Sequence, residues 1–194
     1  MVAGYAEHLQ NQKLVKVLKK QDIATASETK GVACFDLQKI SMYNFTVFDL
    51  RPSKGHCYLW TEVDGAKGDD EIGTNLSNFI EKKIDEGITE SVFSSDSHSG
   101  QNRNRMVFSM YVHASIKYNI KITHRFVESG HSYSEADGMH GRIETEAKIK
   151  QEIFTPEEWT DLIKTAKQDK KPYIVNSVKN EEWLNLHVLV DKET

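Results

Sequence analysis

Two hydrophobic periods alternate along this chain. Tyr5–Lys20 sets Ala6, Leu9, Leu14, Val15 and Leu18 at helical spacing among polar residues, which predicts a helix. It ends on Lys19 and Lys20, the charge a helix C-terminus favours. Gln21–Lys30 is polar and reads as a connector. The period then shortens. Gly31–Ile40, Met42–Asp49 and His56–Val63 form a β-rich block, in which Tyr43, Phe45 and Val47 alternate with polar Asn44 and Thr46 as in a half-buried strand. Arg51-Pro52-Ser53-Lys54-Gly55 is a hairpin turn. Gln38–Ser41 has no turn residue, so the first two strands are either one long bent strand or joined by an unusually short loop.

After the acidic loop Gly65–Asp70 the helical period returns. Ile72, Leu76, Phe79, Ile80 and Ile84 form one stripe that stops at Gly87, with Asp69 or Asp70 as the cap. A short apolar run from Ser91 then ends in Asp96. A helix is predicted from about Arg103 to Tyr118, a strand over Ile120–Val127 and a helix over Glu135–Lys150. Thr155-Pro156-Glu157-Glu158 is a helix start with Thr at the cap, Pro at the first position and Glu at the third, and that helix runs to about Gln168. Lys171–Val178 reads as an edge strand, since Pro172 cannot donate to a ladder.

The order is three antiparallel strands, then helix, strand, helix, strand, helix. Alternating strands and helices imply parallel pairing through right-handed crossovers, and the three leading strands imply an antiparallel wing on the same sheet. The expected fold is α/β, a ribonuclease H-like mixed sheet flanked by helices, with a helical tail. Residues 1–30 form an N-terminal helix and connector, 31–178 the domain and 179–194 the tail.

Composition changes this picture little. The chain has 194 residues, 38% hydrophobic and 28% charged, with a net charge of −4, so nucleic-acid binding would need a local basic patch. Cys34 and Cys57 lie in strand-like runs and read as buried reduced thiols. There is no secretory leader and no apolar run long enough to span a bilayer, which leads to an expectation of an intracellular protein of nucleus or cytoplasm. A homo-oligomer is left open.

The acids carry the candidate chemistry. Asp96 ends a strand at the carboxyl edge of an open α/β sheet, where ligands bind. Asp36 lies inside the apolar run VACFDLQKI, where a charge is costly unless paired or metal-bound. Glu71 sits in the first turn of a helix, and Asp137 and Glu144 follow the last central strand, either one suited to be a fourth ligand. Four such acids converging on one edge would hold two Mg²⁺ or Mn²⁺ ions, which need hard oxygen ligands, beside a phosphodiester. His98, His124, His131 and His140 form a second group. His131, in a loop leaving a strand, is the functional candidate among them, and His124 reads as a surface residue. Gln101, Asn102, Arg103, Asn104 and Arg105 follow Asp96 and are placed to meet a phosphate. Lys117, Lys121, Arg125 and Arg142 add basic charge in the same half of the chain.

The blocks FDLQK, YNFTVFD, YLWTE, GDDEIGTNL, SDSHSGQNRN and HRFVESGHSYSEADGMHGRIE, with the Pro156/Trp159 helix, resemble a domain-of-unknown-function family. That family is widespread in insect and plant genes of transposon origin, and the resemblance spans about Gly31 to Val178. It implies a transposase-derived ribonuclease H-like domain whose motif acids fall on Asp36, Glu71, Asp96 and Asp137. Gln101, Asn102, Asn104, His131, His140 and Glu144 fall on its other motif positions. The family carries a longer, Pro-containing insertion where the first two strands nearly abut here.

The first functional expectation is therefore two-metal cleavage or strand transfer of DNA phosphodiesters (RNA being the other candidate strand), with Asp36, Glu71, Asp96 and Asp137 as ligands and His131 positioning. The second is a domesticated domain that no longer cuts and binds nucleic acid or protein. A third is a His/Asp binuclear phosphoesterase built on His131, Asp137 and His140.

Overall fold

The computed structural model describes residues 2–39, 42–96, 104–127, 134–150, 152–167 and 171–191, with 2–13, Lys39 and 189–191 as backbone only. The chain begins with helix α1 (Val2–Thr25), followed by strands β1 (Lys30–Lys39), β2 (Tyr43–Asp49) and β3 (Lys54–Trp60). Helix α2 (Asp69–Asp85), strand β4 (Glu90–Asp96), helix α3 (Arg105–Tyr118), strand β5 (Lys121–Val127) and helix α4 (Glu135–Lys150) alternate after that. Helix α5 (Pro156–Thr165), strand β6 (Ile174–Ser177), a 3₁₀ turn (Asn180–Glu182) and helix α6 (Leu186–Asp191) close the chain.

The strands form one sheet in the order β5-β4-β1-β2-β3-β6. β1, β2 and β3 are antiparallel neighbours, while β4 pairs parallel with β1, and β5 with β4. This is the ribonuclease H-like order expected, with β6 added parallel to β3 at the far edge. Lys39 pairs with Tyr43, so β1 and β2 are two strands joined by a very short connection.

Each face of the sheet is covered. On one, Phe35, Phe45, Trp60 and Phe93 pack under α2 and α3, with Leu186 of α6 fully buried among them. The tail is thus part of the core. On the other, Cys57 and Leu59 meet Met139, Ile143, Trp159 and Ile163 of α4 and α5. Alternate side chains of one strand point to opposite faces, so Phe35 faces α3 and its neighbour Asp36 faces α4.

Two local predictions are modified. α1 continues past Lys20 to Thr25, because buried Asp22 is held there by Arg125 of β5 through bonds of 2.5 and 2.8 Å. Asn44 and Thr46, expected on a solvated face, are both 0% exposed, covered by α4. The capping signal at Thr155 is realised: its hydroxyl accepts from the Glu158 amide at 3.2 Å, and Glu158 accepts from the Thr155 amide at 3.1 Å. Cys34 and Cys57 are both buried and unpaired by disulfide. Among the described residues no helix is long and apolar enough to cross a membrane.

Candidate metal centre

The parallel pairing of β1 with β4 sets Cys34 beside Ser94. Two residues further along each strand come Asp36 and Asp96, on the face that α4 covers. The antiparallel pairing of β1 with β2 sets Thr46 opposite Asp36. α4 then brings Asp137 and, one turn on, His140. Spacings of three share a helix face, so these two side chains meet the strands together.

Asp36, Asp137 and His140 each offer a ligand atom, and those atoms lie within 4.8 Å of one another. His140 Nδ1 stands 3.7 Å from Asp36 Oδ2, and its Nε2 is 2.9 Å from Thr46 Oγ1. The Thr46 hydroxyl donates its single proton to the Asp36 carbonyl at 3.1 Å. Its oxygen therefore accepts from His140 Nε2–H, and the imidazole lone pair is left on Nδ1, aimed at the carboxylate. The carboxylate and the imidazole lone pair thus face each other across 3.7 Å, an arrangement that a cation between them would relieve.

The electrostatics agree. Burial lifts the Asp36 carboxyl to about 6, and Asp96 and Asp137 push it the same way, against the lowering effect of the Leu37 amide. Among the described residues, no Lys or Arg forms an ion pair with Asp36. Burial lowers His140 to about 4, opposed by Asp137 and Glu144, so the ring is neutral and suited to ligation. Asp137 also caps its own helix: Oδ2 accepts from the Ser134 amide at 2.6 Å, and Ser134 Oγ accepts from the Asp137 amide at 3.2 Å. That double role fixes the carboxylate at the first turn of α4.

The other candidates lie elsewhere. Glu71 accepts from the Ala66 and Gly68 amides at 2.7 and 3.0 Å, capping α2 on the far face of the sheet, away from the group. Its placement answers the capping question as well, since neither Asp69 nor Asp70 is the cap. Asp70 instead accepts from the Leu186 amide at 2.8 Å. Glu144 sits a turn beyond His140 and accepts from Gln38 Nε2 at 2.9 Å, so Asp137 and not Glu144 joins Asp36. Asn104 caps α3 by accepting from the Val107 amide at 2.8 Å, and Arg105 is exposed on its first turn. Gln101, Asn102, Arg103, His98 and His131 lie outside the described residues. His124 is half-buried rather than an open surface residue: it packs on Phe35, Tyr111 and Phe126, stands 3.0 Å from Ser95 Oγ, and burial lowers it to about 4.

Sequence reading named His140 as a metal ligand only in the His/Asp phosphoesterase alternative, leaving it out of the two-metal ligand set, and gave Thr46 and Gln38 no place in the site. The spacing of Asp137 and His140 carried the signal for the first.

The model of a family described as a domain of unknown function, DUF8701, matches residues 70–189. That is more than half of the chain. The chain belongs to this family. The DUF8701 match takes in Asp96, Asp137, His140 and Glu144 but begins after β3, so Asp36 and Thr46 lie outside it. No curated protein matches the chain.

Proposed function

We propose that this chain is a transposase-derived, divalent-metal-dependent domain that cuts or transfers DNA phosphodiesters, RNA being the alternative strand. The observation that carries the reading is the meeting of Asp36, Asp137 and His140, with Asp96 alongside, from three separate elements at the carboxyl edge of the parallel strands. The donor set fits a metal: a carboxylate crowded by carboxylates faces an imidazole lone pair, and among the described residues no lysine or arginine pairs with it. Asp36, Asp137 and His140 Nδ1 would hold the ion, and Asp96 would complete or bridge the shell. Bound Mg²⁺ or Mn²⁺ supplies the charge that activates a water or hydroxyl and neutralises the leaving oxygen. The protein's own part is to set Asp36 beside Asp137 and His140, hold the His140 ring through Thr46, and fix Asp137 through its cap.

The test is calorimetric titration of Mn²⁺ together with cleavage of end-labelled DNA. Saturable binding and Mn²⁺-dependent cutting, both lost in Asp96→Asn, are expected. No binding and no cutting in the native chain would sink the reading. The second reading, a nucleic-acid or protein-binding module that does not cut, is favoured by the family match beginning beyond Asp36. It predicts DNA or partner binding indifferent to Asp96→Asn and no cutting with any metal.

A further inference from the structure

β3 carries polar side chains onto the face of the sheet that α2 covers. Alternation turns His56, Tyr58 and Trp60 to that face, where Tyr58 and Trp60 join the core. Parallel pairing of β3 with β6 sets Asn176 beside Tyr58. α2 contributes Asn78 and Lys82, four residues apart and so on one side of the helix. Between these elements lies a pocket of about 320 Å³, lined by His56, Tyr58, Asn78, Lys82 and Asn176, with Glu182 of the 3₁₀ turn. It stands across the sheet from Asp36 and α4. A volume near the lower end of roughly 300–1,000 Å³ suits one small molecule.

The floor of this pocket is polar, buried and incompletely bonded. His56 is 2% exposed, and its Nδ1 is buried without a hydrogen-bond partner. An unmet polar atom of this kind is costly, which favours a bound group that meets it. Phe79 holds the ring edge-on, with centroids 5.3 Å apart. The surrounding charge is positive. Burial lowers His56 to about 4, and Lys82, Lys83 and Lys54 push it the same way against Glu86. Lys83 is already held by Asp49 and Glu86, whereas exposed Lys82 forms no ion pair among the described residues. Glu182, the acid at the rim, is engaged with its own turn: Oε1 accepts from the Lys179 amide at 2.7 Å.

We infer that this pocket binds a small oxyanion, the phosphate or carboxylate group of a small molecule. Lys82 supplies the charge, the Asn78 and Asn176 amides donate from the two walls, and the His56 imidazole forms the floor. Lysine acts on such groups as a point charge, and hydrogen bonds to an ionised acceptor are the strong ones. None of these residues belongs to the metal centre, so the site stands apart from the nuclease reading.

The test is an NMR titration of the full chain, freed of metal on a chelating resin, with sodium phosphate and with sodium malonate. The side-chain resonances of the histidines are read, and sodium chloride at matched ionic strength is the control. A saturable shift of the His56 ring, with His140 unmoved, is expected from at least one of the two anions. A response to phosphate alone or to malonate alone upholds the site and names its chemistry. Lys82→Gln, an exposed substitution checked for folding by circular dichroism, should weaken that binding about tenfold, as loss of one hydrogen bond to a charged group implies. Lys164→Gln on α5 should leave it unchanged. No saturable shift of His56 from either anion overturns the inference, and so does a folded Lys82→Gln protein that binds as the native chain does. An anion that moves His140 and not His56 belongs to the metal centre and overturns it equally.

Discussion

Asp36 and His140 face each other with Oδ2 and Nδ1 3.7 Å apart, and Thr46 keeps them so by donating to the Asp36 carbonyl and accepting from the ring. Thr46→Val keeps the shape and removes both bonds. The ring's tautomer and tilt are then no longer fixed, and Mn²⁺ affinity should fall about 10- to 100-fold, as for other groups that orient metal ligands. Titration calorimetry on the folded variant reads this directly. Unchanged affinity would show that the hydroxyl does not set the ring.

Burial of Asp36 makes stability depend on pH. Its native value of about 6 lies above the ordinary 3.8, so between these values the folded state binds more protons than the unfolded one. Stability from this residue is fully present below pH 3.8 and is lost as pH rises through 6. In metal-free buffer Asp36→Asn should therefore be the more stable protein at pH 7.5, by about 1–3 kcal/mol, and the difference should vanish below pH 4. His140 titrates with the opposite slope, but in both proteins, so urea midpoints compared at each pH isolate Asp36. A variant less stable at pH 7.5 would mean that another group already neutralises the carboxylate.

The imidazole should also shape metal choice. Nitrogen ligands favour Mn²⁺ and the later transition ions over Mg²⁺, which prefers oxygen and keeps its waters. Mn²⁺ should raise the melting temperature at concentrations where Mg²⁺ has little effect, and His140→Asp should narrow the gap. Equal shifts from the two ions in the native chain would place His140 outside the coordination shell.

Glu71 separates the structure from the motif. Glu71→Ala should cost about 1 kcal/mol of stability through its lost cap and leave Mn²⁺ affinity untouched. Loss of metal binding in a folded Glu71→Ala protein would contradict its position at Ala66 and Gly68.

The sheet order was legible because the two periods and the turn at Arg51–Gly55 are local signals. Asp36 and Asp96 were legible for a related reason, since a charge inside or at the end of an apolar run stands out. Asn44 and Thr46 were misread because alternation reports that two faces differ, not that the polar one meets water, and here α4 covers it. Glu71 went the other way: an acid in the first turn of a helix suits a metal or a cap equally well. The amides of Ala66 and Gly68, contributed by the preceding loop, decided between them.

α4 docks through polar teeth as much as apolar ones, with His140 against Thr46 and Glu144 against Gln38. The receiving teeth stand on the β1–β2 hairpin, a local structure of the kind that forms early, while α4 lies about a hundred residues downstream. On a chain made from its N-terminus, Asp36 and Asp96 are both synthesised before Asp137 and His140. The candidate centre is thus completed only by the last helix of the alternating series, α4, which carries Asp137 and His140.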